Sequence, residues 1–283
     1  MPFNKKRIPA DLLSAYKEDR VAVLVGAGAS AASGLPLWGA LIDRMATEAK
    51  DNRYITAQRA TEYKKLAKSP DKYLMVASSL KEDFGSNFDA LVEKIFLRPK
   101  HALAPVHTSL AKLKRLQFVI TTNYDTLLEK LFRAIDPDVA VCTYIEIGEL
   151  QRRLARREFF LLKAHGDAAK ASSIILTDAD YRALLYHRRA YQSLLSSMFT
   201  MYSIVFVGAS LNDPEIKLLL GFIADSFHPS GGPMHYALMP EGDYTKTEEN
   251  RWFRDYNVKF VPISKAGNYA EIPQFLSALA ASA

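Results

Sequence analysis

The feature that most constrains this chain is the alternation of short apolar runs with longer amphipathic stretches. Runs at 21–25, 118–121, 159–162, 174–176, 204–207, 235–239 and 258–261 are rich in β-branched and aromatic residues and read as strands. Between most of them lie segments such as 104–116, 126–134 and 178–201, whose apolar residues return every three or four positions, as in an amphipathic helix. Strands alternating with helices predict an α/β chain with a doubly wound, Rossmann-like parallel sheet. One interval breaks the pattern. Residues 38–116 hold no convincing strand and read as several helices, one of them at 87–96, so a helical module is expected as an insertion within a single domain spanning 1–283. Ser69-Pro70 and Arg98-Pro99 read as breaks between its helices, and 229–233 as a loop before a late strand.

With 283 residues, 49% of them hydrophobic, one large core is within reach. A single cysteine, Cys142, permits neither an intrachain disulfide nor a four-cysteine zinc site, and no metal is expected. The N-terminus lacks an apolar signal core, and no stretch approaches the roughly 20 apolar residues of a membrane span. A soluble cytoplasmic protein is expected. The net charge of +6 and the cluster Arg152, Arg153, Arg156, Arg157 are compatible with a nucleic-acid partner or with a solvated helix face. The helical spacing of these charges and the lack of interleaved aromatic residues favour the face, so nucleic-acid contact is not expected.

Four predicted strands end in small or polar residues. The first runs into Gly26-Ala27-Gly28-Ala29-Ser30, then Ser33 and Gly34, before a helix. Glycines in such a turn let the backbone approach a pyrophosphate, and the hydroxyls of Ser30 and Ser33 lie near its expected path; a tight packing turn would use the same residues. The second ends in Thr122-Asn123-Tyr124-Asp125, where Asn123 and Asp125 suit either ligand contact or helix capping. The third ends in Lys163-Ala164-His165-Gly166, making His165 a candidate general base. The fourth ends in Gly208-Ala209-Ser210, with Asp213 and Pro214 placed to start a helix. Together, four such strand ends point to a nucleotide site.

These motifs, in this order, resemble the SIR2 (sirtuin-like) superfamily: GAGASAASGLP at 26–36, TTNYD at 121–125, His165-Gly166, and GAS at 208–210. The resemblance implies an NAD+ site. Gly26, Ala27, Gly28 and Ser30 would then lie near the phosphates, with Ser33 and Thr122 beside them, Asn123 and Asp125 at the nicotinamide ribose, and Gly208 and Ser210 toward the adenosine half. His165 would match the catalytic histidine, and Trp38, as a further cofactor-binding residue, would stand for the aromatic residue that follows the glycine motif in the protein deacylases of the superfamily. Those deacylases also carry a module of zinc-binding cysteines, which a chain with one cysteine cannot build. The chain is therefore most similar to the zinc-free SIR2-like NADases of bacterial antiphage defence.

What the resemblance implies is an NAD+ hydrolase that cleaves the nicotinamide–ribose bond, with NAD+ as substrate and Asn123, His165 and Asp125 as catalytic residues. The alternatives are an NAD-dependent deacylase, an ADP-ribosyltransferase, or a non-catalytic regulatory subunit that binds NAD or ADP-ribose. An unrestrained NADase would kill its host, so a homo-oligomer or a separate sensor, such as a HerA-like ATPase or an Argonaute-type protein, is expected.

Overall fold

Apolar residues at every position of Val21–Val25 (β1) suit a strand covered on both faces, and all five are buried in the computed structural model of the chain, which describes residues 3–98, 100–229 and 232–282. β1 is the central strand of a seven-stranded sheet. The others are Phe118–Thr121 (β2), Ala140–Thr143 (β3), Phe160–Lys163 (β4), Ser203–Val207 (β5), His235–Pro240 (β6) and Val258–Ile263 (β7). Their order is β3-β4-β2-β1-β5-β6-β7, and every neighbouring pair is parallel. From β1 the chain adds β2, crosses to the edge with β3 and steps back between them with β4, then passes to β1's other side with β5 and builds through β6 to the second edge at β7. This is the doubly wound arrangement expected from the alternation, and its switch point lies at β1, where open sheets form their ligand crevice.

Register brings the predicted turns together. Val25 is paired with Thr121 on one side and Val207 on the other, and Thr121 with Lys163, so β1, β2, β4 and β5 all end at one level.

The period of two along each strand divides the core. Val21, Val23, Val25, Val119, Leu161, Val205 and Val207 face one apolar layer, and Ala22, Leu24, Phe118, Ile120, Phe160, Leu162 and Phe206 face the other. The helices α1 (Ala10–Lys17) and α2 (Ala27–Ala31) flank β1 in sequence. Between β1 and β2 follow α3 (Trp38–Asp51), α4 (Ala57–Leu66), α5 (Tyr73–Phe84), α6 (Phe88–Val92), a π-helical turn at Glu93–Leu97, and α7 (Pro105–Leu110). No strand occurs there among the described residues. α8 (Leu127–Arg133) and α9 (Ile147–Arg156) lead to β3 and β4, and α10 (Asp178–His187) and α11 (Arg189–Met201) to β5. α12 (Pro214–Ser226) and α13 (Lys246–Tyr256) lead to β6 and β7, and α14 (Ala266–Tyr269) and α15 (Glu271–Ala280) close the chain.

The helices after β1 have an apolar core of their own, including Ile42, Met45, Leu80 and Phe88. Tyr124, Ala168, Ile174 and Leu176, from the turns at the sheet edge, complete it. The candidate site is thus built where two cores meet.

Three expectations are corrected. Residues 174–176 are not a strand: Ile174 and Leu176 pack into the helical core and Ile175 into the sheet core, so alternating burial imitates a strand without a ladder. β3 escaped notice because it is a four-residue edge strand, paired on one side only and half exposed at Ala140 and Val141. The stretch 178–201 is two helices, broken where Arg188 leaves helical geometry at φ −107° and ψ 50°. The helix expected at 87–96 starts with α6 and continues as the π-helical turn. Pro99 of the Arg98-Pro99 break, and Ser230 and Gly231 of the 229–233 loop, lie outside the described residues.

The arginines of α9 are matched by acids. Arg152 and Arg153 both bind Glu149, at 2.7 Å each, and Arg152, Arg153 and Arg156 lie within 4 Å of Glu158. Among the described residues, no helix is long and apolar enough to cross a membrane.

Candidate functional site

At the switch point two turns cross. The Gly26 N–H donates to the Val207 carbonyl at 3.0 Å, and the Gly28 N–H to the Gly208 carbonyl at 2.8 Å. A Cβ at Gly26 would stand 2.4 Å from Ala209 Cα; one at Gly208, which has φ +59°, would stand 2.4 Å from the Ala29 nitrogen. The glycines are needed first for two backbones to touch. Because the N–H groups of Gly28 and Ala29 are already bonded, to Gly208 and Gly26, fewer turn donors face outward than a strand–turn–helix pattern alone suggests.

The turn after β2 locks onto this crossing. Thr121 donates its hydroxyl to the Val25 carbonyl at 2.9 Å and accepts the Asn123 N–H at 3.1 Å. The Asn123 amide donates to the Gly26 carbonyl at 3.1 Å and to Ser30 Oγ at 2.9 Å, and Ser30 donates to Asp125 Oδ2 at 2.8 Å. Gly26, Ser30, Asn123 and Asp125 therefore form one buried network. Asp125 Oδ1 accepts the Leu127 N–H at 3.0 Å at the start of α8, so both of its oxygens are engaged within the protein.

His165, after β4, sits in a second network with Tyr181, Asp213 and Glu215. It is 2% exposed, with Nδ1 3.5 Å from the Tyr181 hydroxyl, and Nε2 3.7 Å from Asp213 Oδ2 and 3.4 Å from Glu215 Oε2. Burial opposes protonation of this ring, but the Asp213 and Glu215 carboxylates outweigh it and hold its pKa above the ordinary histidine value. Burial likewise holds the Glu215 carboxyl above the usual carboxylate range. Asp213 caps α12 by accepting the N–H groups of Glu215 and Ile216 and also accepts from Tyr181 at 2.8 Å. Gly166 turns at φ +87°, where a Cβ would meet the Ser173 carbonyl oxygen at 2.1 Å.

The remaining expected residues are more peripheral. Thr122 is half-buried and donates its N–H to the Val25 carbonyl; Ala27 is half-buried. Ser210 is exposed, its hydroxyl accepting the Asn212 N–H at 3.3 Å. The Ser33 hydroxyl is buried without a hydrogen-bond partner, and its carbonyl lies 2.6 Å from His101 Nδ1. Trp38 stacks on Tyr73 at 6.0 Å within the helical layer. Cys142 is buried in the sheet core, its thiol pushed up to about 11 by burial. Beside Asp125 opens a groove of about 240 Å³ whose walls include Phe96, Leu97, Lys100, His101 and Lys130.

Four residues received no functional role from the sequence. Glu215 and Tyr181 complete the surroundings of His165, and Lys163 and Glu129 brace the turn after β2. Lys163 is fully buried, pairs with Glu129 and with Asp167 at 3.0 Å, and donates to the carbonyls of Tyr124 and Asp125 at 3.2 and 2.8 Å. A lysine closing the apolar strand Phe160–Lys163 was the available signal.

Two glycine turns crossing above the switch point of a doubly wound sheet, with an amide seated on the crossing, define a Rossmann-like α/β protein with a crevice at the strand ends. The family model of the SIR2-like domain matches residues 117–261, just over half of the chain, and the chain belongs to that family. It is 27% identical over 228 residues to the NAD(+) hydrolase ThsA of Cytobacillus dafuensis, covering 79% of this chain and 42% of that protein. It is 26% identical over 233 residues to defense-associated sirtuin 2 of Bacillus subtilis, covering 77% and 21%, and 23% identical over 287 residues to the NAD(+) hydrolase ThsA of Bacillus cereus (strain MSX-D12), covering 94% and 55%. The chain spans about half, or less, of the length of these curated relatives.

Proposed function

We propose that this chain hydrolyses NAD+ to nicotinamide and ADP-ribose and serves antiphage defence by depleting NAD in the cytoplasm. The observation that carries this reading is the Asn123 amide, hydrogen-bonded to both the Gly26 carbonyl and Ser30 Oγ, which ties the turn after β2 to the glycine turn. Relatives named NAD(+) hydrolase and defense-associated sirtuin support it.

The chemistry asks little of an acid. The bond between the ribose C1′ and the pyridinium nitrogen breaks with its electron pair going to nitrogen, so nicotinamide leaves neutral. What remains is an oxocarbenium-like centre and a water to be aimed at it, a task of effective concentration. Asn123 positions that water, His165 takes the proton it loses, and Asp125 shapes the ribose side by holding Ser30 and the start of α8. Gly26, Ala27, Gly28, Ser30, Ser33 and Thr122 border the phosphates, and Gly208 and Ser210 the adenosine half.

Incubation of the purified chain with NAD+, followed by chromatography, tests this. Nicotinamide and ADP-ribose are expected from NAD+ alone, and His165→Ala should lower turnover by about 10²–10⁴-fold. Normal hydrolysis by both Asn123→Ala and His165→Ala would sink the site assignment. Turnover that requires an acyl peptide or an acceptor protein would instead mean deacylation or ADP-ribosylation, and binding without turnover would mean a regulatory subunit. For restraint we propose self-association or a separate sensor, such as a HerA-like ATPase or an Argonaute-type protein, acting through the helices between β1 and β2. Sedimentation alone and with such a partner should reveal an assembly; a monomer throughout counts against it.

A further inference from the structure

Two buried polar atoms face one another behind the strand ends, each without a hydrogen bond: His165 Nε2 and Glu215 Oε2, 3.4 Å apart. Glu215 is wholly buried, and its other oxygen accepts from Gln192 Nε2 at 2.6 Å. An unpaired buried donor and an unpaired buried carboxylate oxygen are each costly, and a proton on Nε2 directed at Oε2 satisfies both. Asp213 does not compete for it. Its Oδ1 accepts two backbone N–H groups, and its Oδ2 accepts the Tyr181 hydroxyl and lies farther from Nε2. With the Tyr181 hydrogen directed to Asp213, Nδ1 keeps its lone pair.

We propose that Glu215 is a positioning residue for His165: its carboxylate fixes the ring's orientation and tautomer through Nε2–H and leaves Nδ1 as the atom that takes a proton. A carboxylate behind an imidazole makes the opposite nitrogen a better acceptor, as in other carboxylate–histidine pairs. The proposal rests on NAD+ hydrolysis for the source of that proton. As the water oxygen bonds to C1′, its proton passes to Nδ1, while Nε2–H stays on the ring and donates to Glu215. The groups at the ring are Tyr181 from α10, Asp213 at the cap of α12 and Glu215 within it; Gln192 of α11 touches Glu215, and Tyr191 of α11 and Tyr124 of the turn after β2 face the carboxylates of Glu215 and Asp213. Burial holds all three tyrosines above the ordinary phenol value, so the charge that His165 senses comes from the two carboxylates.

Nitrogen-15 NMR of the histidine-labelled chain, without NAD+, tests the pairing directly. His165 should appear as the Nε2–H tautomer when neutral and should titrate above an ordinary histidine. Glu215→Gln keeps an acceptor for Nε2–H but removes the charge. It should move the His165 titration to lower pH, and the acidic limb of kcat/KM for NAD+ should move with it. A merely structural role would lower activity without moving either midpoint. An Nδ1–H tautomer in the wild type, or an unmoved His165 titration in the Gln variant, overturns the proposal; should that variant fail to fold, the wild-type tautomer decides. If no nicotinamide is released at any pH while the NMR result holds, the hydrolase reading fails and the Glu215–His165 pairing stands.

Discussion

At the scale of single residues, two glycines separate strain from space. Gly166 and Gly242 have nearly the same φ, +87° and +86°, but a Cβ at Gly166 meets the Ser173 carbonyl oxygen at 2.1 Å, whereas one at Gly242 meets nothing within 4 Å. Gly242→Ala should therefore cost about 1 kcal/mol, the penalty of left-handed geometry alone. Gly166→Ala should cost more than twice as much, because it must also displace backbone beside His165. Urea denaturation of the two variants checks this, and equal costs would contradict it. Lys163 offers a second measurement. Lys163→Met leaves Glu129 buried without its cation and takes a donor from two carbonyls of the turn that carries Asn123. A loss of about 3–5 kcal/mol is expected. The double change with Glu129→Met should restore part of the stability but not the proposed NAD+ turnover, since the carbonyls of Tyr124 and Asp125 stay undonated. A single variant within 1 kcal/mol of wild type, on the order of an ordinary surface change, would refute the bracing role.

Among the elements, a buried histidine adds a side-chain tie to the ladder between β5 and β6. His235 Nδ1 accepts the Ile204 N–H at 3.1 Å, and burial lowers the ring's pKa to about 3. The folded chain thus refuses a proton that the unfolded chain accepts near the ordinary histidine value of 6.5. Stability from this group is present above 6.5 and is lost as pH falls toward 3, with a slope of up to about 1.4 kcal/mol per pH unit. His235→Asn keeps an acceptor for Ile204 and cannot titrate, so its urea midpoint should fall less between pH 6.5 and 4.5; parallel profiles would reject the assignment. His165 acts in the opposite sense. Its raised pKa contributes stability below 6.5 that is lost as pH rises through the folded value, so the difference between His235→Asn and wild type isolates the β5–β6 join. At this scale six strands, edge strand β7 among them, were legible from their apolar runs, whereas the short, half-exposed β3 and the buried coil at 174–176 were not. Burial follows tertiary packing, and neither case carries a period that distinguishes it locally.

For the whole molecule, the shared packing of Tyr124, Ala168, Ile174 and Leu176 ties the helical layer to the sheet. The Tyr124 hydroxyl, bonded to the Ile175 carbonyl at 2.6 Å, crosses the same boundary. Unfolding should therefore be a single transition. Trp38 reports the helical layer and Trp252 the sheet, so single-tryptophan variants, Trp252→Phe and Trp38→Phe, should give coincident fluorescence midpoints; separated midpoints would mean two folding bodies. The sequence by itself determined the parallel α/β class, the four polar strand ends and their glycines, because apolar periodicity and turn chemistry are local properties. It also named Asn123, Asp125 and His165, since each follows a strand. Only the tertiary structure decided how those residues divide, with Asn123 and Asp125 on the glycine turn and His165 enclosed by Tyr181, Asp213 and Glu215. The reason is register: β2 and β4 end level with β1, while α10 and α12 arrive from further along the chain, and no spacing in the sequence encodes which side chains such distant elements bring into contact.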